Sequence, residues 1–136
     1  MSVAETYANE EESKKRIIHY HDVPLTELVP GCFSHIVSGE RGLVSFLTMP
    51  ANSVFPPHRH EAEQIMIVLQ GHLDEIIEGK LFPAREGDVI ILPSNIEHGA
   101  QIHEVDCKAI DIFVPPRQDY LEKLRKILDE RVRCIR

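Results

Sequence analysis

The sequence predicts an all-β sandwich or barrel that is followed by one α-helix. Its middle part breaks into short apolar runs separated by glycine, proline and other turn residues, a pattern typical of antiparallel strands. The last part changes to apolar residues at helical spacing. The 136 residues have the length of one domain, and 43% of them are hydrophobic, an ordinary share for a soluble globular protein.

Composition and charge exclude several classes of function. A formal net charge of −7 and a pI near 5.6 argue against a nucleic-acid partner. The apolar runs fall far short of the roughly 20 residues that span a bilayer. The first residues are polar and acidic, so no signal peptide is visible and we expect a cytoplasmic protein. Three widely spaced cysteines argue against a disulfide framework or a thiolate metal site: Cys32, Cys107 and Cys134.

Three segments follow one another along the chain. Residues 1–15 are charged and without periodicity, so we expect a flexible N-terminal arm. Residues 16–118 carry the strand pattern of the β-barrel, with an edge strand at 16–23. Residues 119–136 predict an amphipathic helix that packs on the barrel or on a dimer partner, with Asp119 as its N-cap. The apolar stripe of this helix consists of Leu121, Leu124, Ile127, Leu128, Val132 and Ile135.

A histidine-rich segment in the middle of the chain carries the chemistry. His58 and His60 are two residues apart, which places both side chains on one face of a strand. Gln64 is an even number of residues away from both histidines, so on the same strand its amide oxygen would lie on that face. Two carboxylates have the opposite parity and are expected to point outward: Glu61 and Glu63. The other histidines are assigned to the surface or to hydrogen bonding: His19, His21, His35, His72 and His103.

A fourth ligand must come from elsewhere in the chain. Residues 87–98 read as a turn, an apolar strand, a second turn and then His98, which can face back into the barrel. The two segments together resemble the two cupin motifs, G-x5-HxH-x3,4-E-x6-G and G-x5-PxG-x2-H-x3-N. The resemblance implies a cupin double-stranded β-helix, a jelly-roll barrel, that holds one divalent metal ion on His58, His60, Gln64 and His98.

The match to these motifs departs from them at four positions. Gln64 replaces the usual glutamate, and glycines are replaced by Asn52 and Asn95, of which Asn95 is a mild change because asparagine tolerates positive φ. Ile102 replaces the final asparagine. With three neutral imidazoles and one neutral amide, a divalent ion keeps its full charge, which disfavours Fe³⁺ and strengthens the Lewis acid. Such a site suits Zn²⁺, Ni²⁺, Fe²⁺ or Mn²⁺, and the sequence does not choose among them.

A later segment resembles one subgroup of cupins in particular. Asp111 and Phe113 share a face of a late strand, and a Pro-Pro turn follows before Arg117. This D-x-F-x3-R pattern, with the glutamine-bearing first motif, is similar to the pectin-degradation cupins that convert 4,5-unsaturated uronates to linear keto-uronates. The resemblance implies that Asp111 moves a proton, Arg117 binds the carboxylate and Phe113 packs on the sugar. The structural alternative is an Asp111–Arg117 ion pair with Phe113 in the core.

The sequence therefore predicts a metal-dependent cupin enzyme that acts as a Lewis acid on a small sugar acid. A metal-dependent dioxygenase or lyase and a non-catalytic metabolite-binding cupin stay open as alternatives. The expected partner is a small molecule, with no nucleic acid and no membrane. We also expect a homodimer formed by the 16–23 strand and the terminal helix, because cupin barrels resemble open sheets whose edges need protection.

Overall fold

Two antiparallel sheets hold most of the chain that the structure, a computed structural model, describes: residues 6–135, with side chains of the last helix as far as residue 131. The strands are β1 (Leu25–Val29), β2 (Cys32–Ser38), β3 (Leu43–Met49), β4 (Val54–His58), β5 (Glu63–Gln70), β6 (His72–Ile77), β7 (Lys80–Arg85), β8 (Val89–Leu92), β9 (His98–Ile102) and β10 (Cys107–Val114). One sheet has the order β1-β2-β3-β10-β5-β8 and the other β4-β9-β6-β7. The predicted all-β jelly roll is confirmed, although two packed sheets replace a closed barrel.

The core lies between the inner faces of the two sheets. Strand β3 alternates strictly between buried and half-buried residues, as the period of two in a strand requires. The two sheets contribute apolar side chains to one cluster, among them Ile36, Leu47 and Met66 from the six-stranded sheet and Leu73, Ala84 and Ile102 from the four-stranded sheet. The inner faces also carry polar residues that are as buried as this core: Gln64, Glu75, His98 and Asp111. These buried polar groups mark the site.

The last described element is helix α2 (Gln118–Ile135), which confirms the predicted terminal helix. Leu121 and Leu124 pack against the core, and the Lys123 ammonium donates a hydrogen bond to the Leu28 carbonyl oxygen at 2.7 Å. The predicted stripe is only partly buried, because Leu128 is 45% exposed. The predicted burial of Val132 and Ile135 concerns side chains outside the described residues. Asp119 lies in the first turn and is not the N-cap, because the helix begins at Gln118.

The N-terminal part differs from the predicted strand. Helix α1 (Glu10–Lys14) lies within the segment expected as a flexible arm, of which residues 1–5 fall outside the described residues. No strand forms at residues 16–23, and Tyr20–Asp22 form one turn of 3₁₀ helix. The Tyr20 ring stacks on Phe46 with the ring centroids 4.0 Å apart, so an aromatic contact holds this segment in place of strand pairing. Among residues 6–135, no helix combines the length and hydrophobicity needed to cross a membrane.

Candidate metal centre

Three histidines from separate parts of the chain meet at one end of the core. His58 is the last residue of β4, His60 lies in the connection to β5, and His98 begins β9. One ring nitrogen from each lies within 4.8 Å of the others. The prediction that His58, His60 and Gln64 share one strand is wrong, because β4 ends at His58 and Gln64 lies on β5 in the other sheet. Direct pairing of His58 with His98 brings two of the rings together instead.

The three imidazole rings are held in the same way. In each ring, Nδ1 lies 2.8–3.1 Å from a backbone carbonyl oxygen two residues away in the sequence, namely that of Pro56, Ala62 or Ile96. A carbonyl oxygen only accepts hydrogen bonds, so Nδ1 carries the proton in each ring. Nε2 is left with its lone pair, which is the form of histidine that binds a metal.

Gln64 completes this group from the six-stranded sheet. Its side-chain oxygen Oε1 lies 3.1 Å from Nε2 of His60 and 3.2 Å from Nε2 of His98. Its side-chain nitrogen donates a hydrogen bond to Oδ1 of Asp111 at 2.9 Å. Oε1 and the two Nε2 atoms are therefore all acceptors, and a proton is not available between them. A cation among these lone pairs would satisfy all three atoms, so the residues fit a divalent metal with nitrogen and oxygen ligands.

The charge state of the rings agrees with this arrangement. Burial lowers the pKa of His98 to about 4, against the opposing effect of its hydrogen bond to the Ile96 carbonyl. Burial also lowers the pKa of His60, and the positive charge of Arg117 adds to that effect. Both rings are therefore neutral at pH 7, as ligands must be.

The turn before His98 is tied to the segment that carries His60. Asn95 adopts a φ of 63°, which confirms that asparagine can take the place of the motif glycine. Its backbone N–H donates a hydrogen bond to the His60 carbonyl oxygen at 2.8 Å. Arg59 reaches back to the Asn95 carbonyl oxygen at 3.0 Å. These bonds fix the His60 segment, which has no strand of its own, beside the start of β9.

Gly99 allows the close approach of the two strands that bear His58 and His98. A Cβ atom at this position would collide with the Phe55 carbonyl oxygen and lie 3.0 Å from the Pro57 nitrogen. The pairing of β4 with β9 is irregular between Phe55 and His58, where the two prolines lie. The absence of a side chain at residue 99 is therefore a condition for the position of His58.

A cavity of about 510 Å³ opens beside the histidines, between the two sheets and the start of α2. Its polar lining includes His58, Arg59, Gln64, Glu75, His98, Asp111, Arg117, Asp119 and Tyr120. Its apolar lining includes Leu28, Leu47, Met49, Phe55 and Met66. The volume and this mixture of surfaces suit a small organic ligand with a few polar groups.

Asp111 lies on the inner face of β10 and is 4% exposed. Burial raises the pKa of this carboxyl to about 7, although the hydrogen bond from Gln64 and the charge of Arg117 oppose the rise. The alternative Asp111–Arg117 ion pair does not form, because Arg117 pairs with another residue. Asp111 therefore remains a buried carboxylate whose hydrogen-bond donor is the amide of Gln64.

Arg117 lies at the edge of the cavity, and Asp119 occupies its planar fork. Nε and Nη2 of Arg117 donate hydrogen bonds to the two carboxylate oxygens of Asp119 at 3.1 and 2.6 Å. The guanidinium carbon also lies 3.9 Å from the centroid of the Tyr120 ring, close enough for a cation–π contact. Arg117 thus already holds a carboxylate in the bidentate geometry predicted for a substrate.

Phe113 takes a different position from the one predicted. It is fully buried, and its ring centroid lies 5.6 Å from that of His60 and 5.4 Å from that of Tyr120. It is not among the residues that line the cavity, and its ring packs against the rings of His60 and Tyr120. Phe113 therefore lies in the core, as expected in the structural alternative.

Glu75 is a cavity residue that the sequence interpretation missed. It lies on β6, is 2% exposed and lines the same cavity as Asp111. The sequence spacing could have revealed it. Leu73, Glu75 and Ile77 are each two residues apart on one strand, so the glutamate shares a face with two apolar residues. Its pairing with Ala100, on the strand that starts at His98, places this face inward.

Comparison with known proteins places these features in a family. The model of the cupin domain family Cupin_2 matches residues 45–113. The structure of KdgF from Halomonas sp. is similar with a TM-score of 0.67 and 30% identity, covering 74% of this chain and 93% of that one. A RmlC-like cupin from Shewanella frigidimarina shares the fold, with a TM-score of 0.71 and 18% identity over 77% of this chain and 95% of that one.

Two curated proteins are similar in sequence. The pectin degradation protein KdgF of Dickeya dadantii is 29% identical over 102 residues, which cover 74% of this chain and 93% of that protein. The H2HPP isomerase of Bacillus subtilis is 29% identical over 119 residues, which cover 86% of this chain. The match spans only 48% of that isomerase, about half its length. The family match, the two-sheet fold and the spacing of the histidines agree, and the chain belongs to the cupin family.

Proposed function

We propose that this protein is a metal-dependent isomerase that opens 4,5-unsaturated uronates and converts them to linear keto-uronates. The observation that carries the proposal is that Gln64 makes two kinds of contact. Its side-chain oxygen faces the Nε2 lone pairs of His60 and His98, and its side-chain nitrogen donates a hydrogen bond to buried Asp111. A cluster suited to a metal and a buried carboxylate thus meet in one cavity. Similarity to two KdgF proteins, one of them named as a pectin degradation protein, supports this choice of substrate.

We assign the metal ligands to His58, His60, Gln64 and His98. A divalent ion held there, such as Zn²⁺, Ni²⁺, Fe²⁺ or Mn²⁺, would supply Lewis acidity toward an oxygen of the substrate. The Nδ1 bonds to backbone carbonyls keep each ring in the orientation that this role requires. Phe113, which packs behind His60, is a positioning residue in this proposal.

Asp111 is the proposed base. Opening the ring of an unsaturated uronate removes the proton from the anomeric hydroxyl, and a carboxylate that is shielded from water can accept it. The Gln64 amide orients Asp111 through a single hydrogen bond, which leaves the second carboxylate oxygen for the substrate. The cavity beside it is large enough for one sugar acid.

Arg117 is the proposed carboxylate-binding residue. Its fork binds Asp119 in the free protein, so a substrate carboxylate has to exchange with Asp119. The exchange is between two carboxylates at the same donors, so the arginine remains paired in both states. Asp119 is more exposed than Arg117, with side-chain exposures of 56% and 13%, and water can solvate it once it is released.

The experiment is a turnover assay with the purified, metal-loaded protein on a 4,5-unsaturated uronate. The ultraviolet absorbance of the conjugated double bond should disappear faster than in its spontaneous decay. Asp111→Asn should retain the metal and lower kcat by roughly 10²–10⁴-fold, the usual contribution of a general base. Loss of absorbance at the spontaneous rate with the metal-loaded wild type would refute the enzymatic proposal and favour a metabolite-binding cupin.

A second candidate is isomerisation of a different small acid. It is favoured by the similarity to the H2HPP isomerase, which extends over 86% of this chain. Both candidates use the same base and the same carboxylate-binding arginine. Product analysis by nuclear magnetic resonance separates them, because only the first yields a linear keto-uronate.

A further inference from the structure

Glu75 faces Asp111 from the opposite sheet. Glu75 belongs to β6 in the four-stranded sheet and Asp111 to β10 in the six-stranded sheet, and both line the cavity of about 510 Å³. Only 2% of Glu75 is exposed, and no described residue provides a hydrogen-bond partner for its oxygen Oε2. A buried, unpaired carboxylate is costly, so such a group remains protonated or serves a ligand.

We propose that Glu75 is the proton donor of the ketonisation, and that it delivers its carboxylic proton to the alkene carbon of the substrate. This inference rests on the proposed function. It gives the two buried acids of the cavity opposite roles, with Asp111 as base and Glu75 as acid. Tautomerisation needs both roles, because one proton leaves an oxygen while another arrives at a carbon.

The burial of Glu75 favours its role as the acid. Burial raises the pKa of Glu75 to about 8, and the negative charge of Asp111 adds to the rise. Glu75 therefore keeps its proton at neutral pH. A carboxylic acid that keeps its proton at neutral pH can donate it to a reacting carbon.

The proton and electron movements balance between the two residues. The anomeric hydroxyl proton passes to the Asp111 carboxylate, and the carbonyl of an aldehyde forms as the bond from that carbon to the ring oxygen breaks. A lone pair of the ring oxygen forms the keto group, and the π electrons of the alkene take the proton from Glu75. Asp111 ends protonated and Glu75 ionised, so proton exchange between them or with water restores the starting state.

The test compares wild type, Glu75→Gln and Asp74→Asn, all metal-loaded, with the unsaturated uronate in D₂O. Glu75→Gln keeps the shape of the side chain but has no acidic proton. Asp74→Asn is the matched control, because it removes an acid from the neighbouring position of the same strand, where Asp74 bonds His103. The measurements are kcat, KM, and the configuration of the deuterium in the new methylene group of the product.

We expect Glu75→Gln to lower kcat by roughly 10²–10⁴-fold with little change in KM, as for loss of a general acid. Wild type and Asp74→Asn should place deuterium in a single configuration, whereas Glu75→Gln should give a mixture because water then protonates the carbon. A single configuration at an unchanged kcat in Glu75→Gln would overturn the proposal for Glu75 alone. An inactive wild type would instead refute the proposed function on which it rests.

Discussion

The Gln64 side-chain amide donates a hydrogen bond to Asp111 at 2.9 Å, and its oxygen faces His60 and His98. This relationship accounts for a glutamine at the position where the cupin motif has a glutamate. A glutamate there would place a second carboxylate against Asp111 at hydrogen-bond distance. Two carboxylates so close cannot both ionise, and Asp111 would no longer receive an N–H donor.

We therefore expect Gln64→Glu to retain the metal and lose activity. The added negative charge should strengthen binding of a divalent ion, while Asp111 loses its donor and shares a proton with the new carboxylate. Metal content by mass spectrometry and turnover of the uronate measure the two effects separately. Full activity with a tightly bound metal would show that the amide donor to Asp111 is dispensable.

His98→Ala should lose both the metal and the activity. Wild type should bind one divalent ion per chain, and the ion should raise the melting temperature because it binds only the folded state. His72→Ala is the control, since His72 is a surface histidine that pairs with Glu104. Equal thermal shifts on adding Zn²⁺ to both variants would place the ion elsewhere.

Arg117 and Asp119 should affect KM in opposite directions. Arg117→Lys keeps the charge but loses the fork, so KM should rise with kcat nearly unchanged. Asp119→Asn removes the internal competitor for the fork, so KM should fall by up to about fivefold, in line with the ~1 kcal/mol upper value for exposed ion pairs. Steady-state kinetics on the two variants tests this. A rise of KM in Asp119→Asn would mean that Asp119 orients Arg117 for the substrate.

Glu75 should make stability depend on pH. Its folded-state pKa is raised to about 8 from an ordinary 4.5, so the folded protein holds a proton that the unfolded chain releases between these values. The contribution of Glu75 to stability is therefore fully present below about pH 4.5 and declines as the pH rises toward 8. The melting temperature of Glu75→Gln relative to wild type should rise over this interval. A constant difference from pH 5 to pH 8 would contradict burial of an ionisable Glu75.

The homodimer remains a prediction. The edge strands β8 and β1 expose apolar side chains, with Ile91 63% exposed, Val89 56% and Leu25 52%. Pairing such edges between two copies would cover them. Light scattering should give about twice the monomer mass of 15.5 kDa, and Ile91→Lys should lower it. A mass near 15.5 kDa for the wild type at micromolar concentration would exclude the dimer.

The sequence predicted which residues meet better than it predicted how they meet. The spacing of the motifs brought His58, His60, Gln64 and His98 together, and the strand punctuation predicted the fold class. The parity argument failed because it assumed a continuous strand through residue 64, whereas β4 ends at His58. Pairing between distant strands, here His58 with His98, is not visible in local periodicity.

Two other features could not be read without the fold. Glu75 belongs to no motif, and its burial depends on which face of β6 turns inward, which only the neighbouring strands decide. The second is the bond between Arg117 and Asp119, because α2 starts at Gln118 and Asp119 lies in its first turn instead of at the predicted N-cap. Helix ends are set by local competition among caps and side chains, so errors of this size are usual.

The proposed site is divided between the two sheets: His58 and His98 belong to one, and Gln64 and Asp111 to the other. The distance between these halves is set by the side chains that fill the space between the sheets, such as Leu73 and Met66. Replacing one of them by a smaller residue lets the surrounding structure relax into part of the lost volume. A core substitution that still allows the protein to fold would thus alter the distance between the histidines and Asp111. The volume of the core is in this sense part of the geometry of the proposed site.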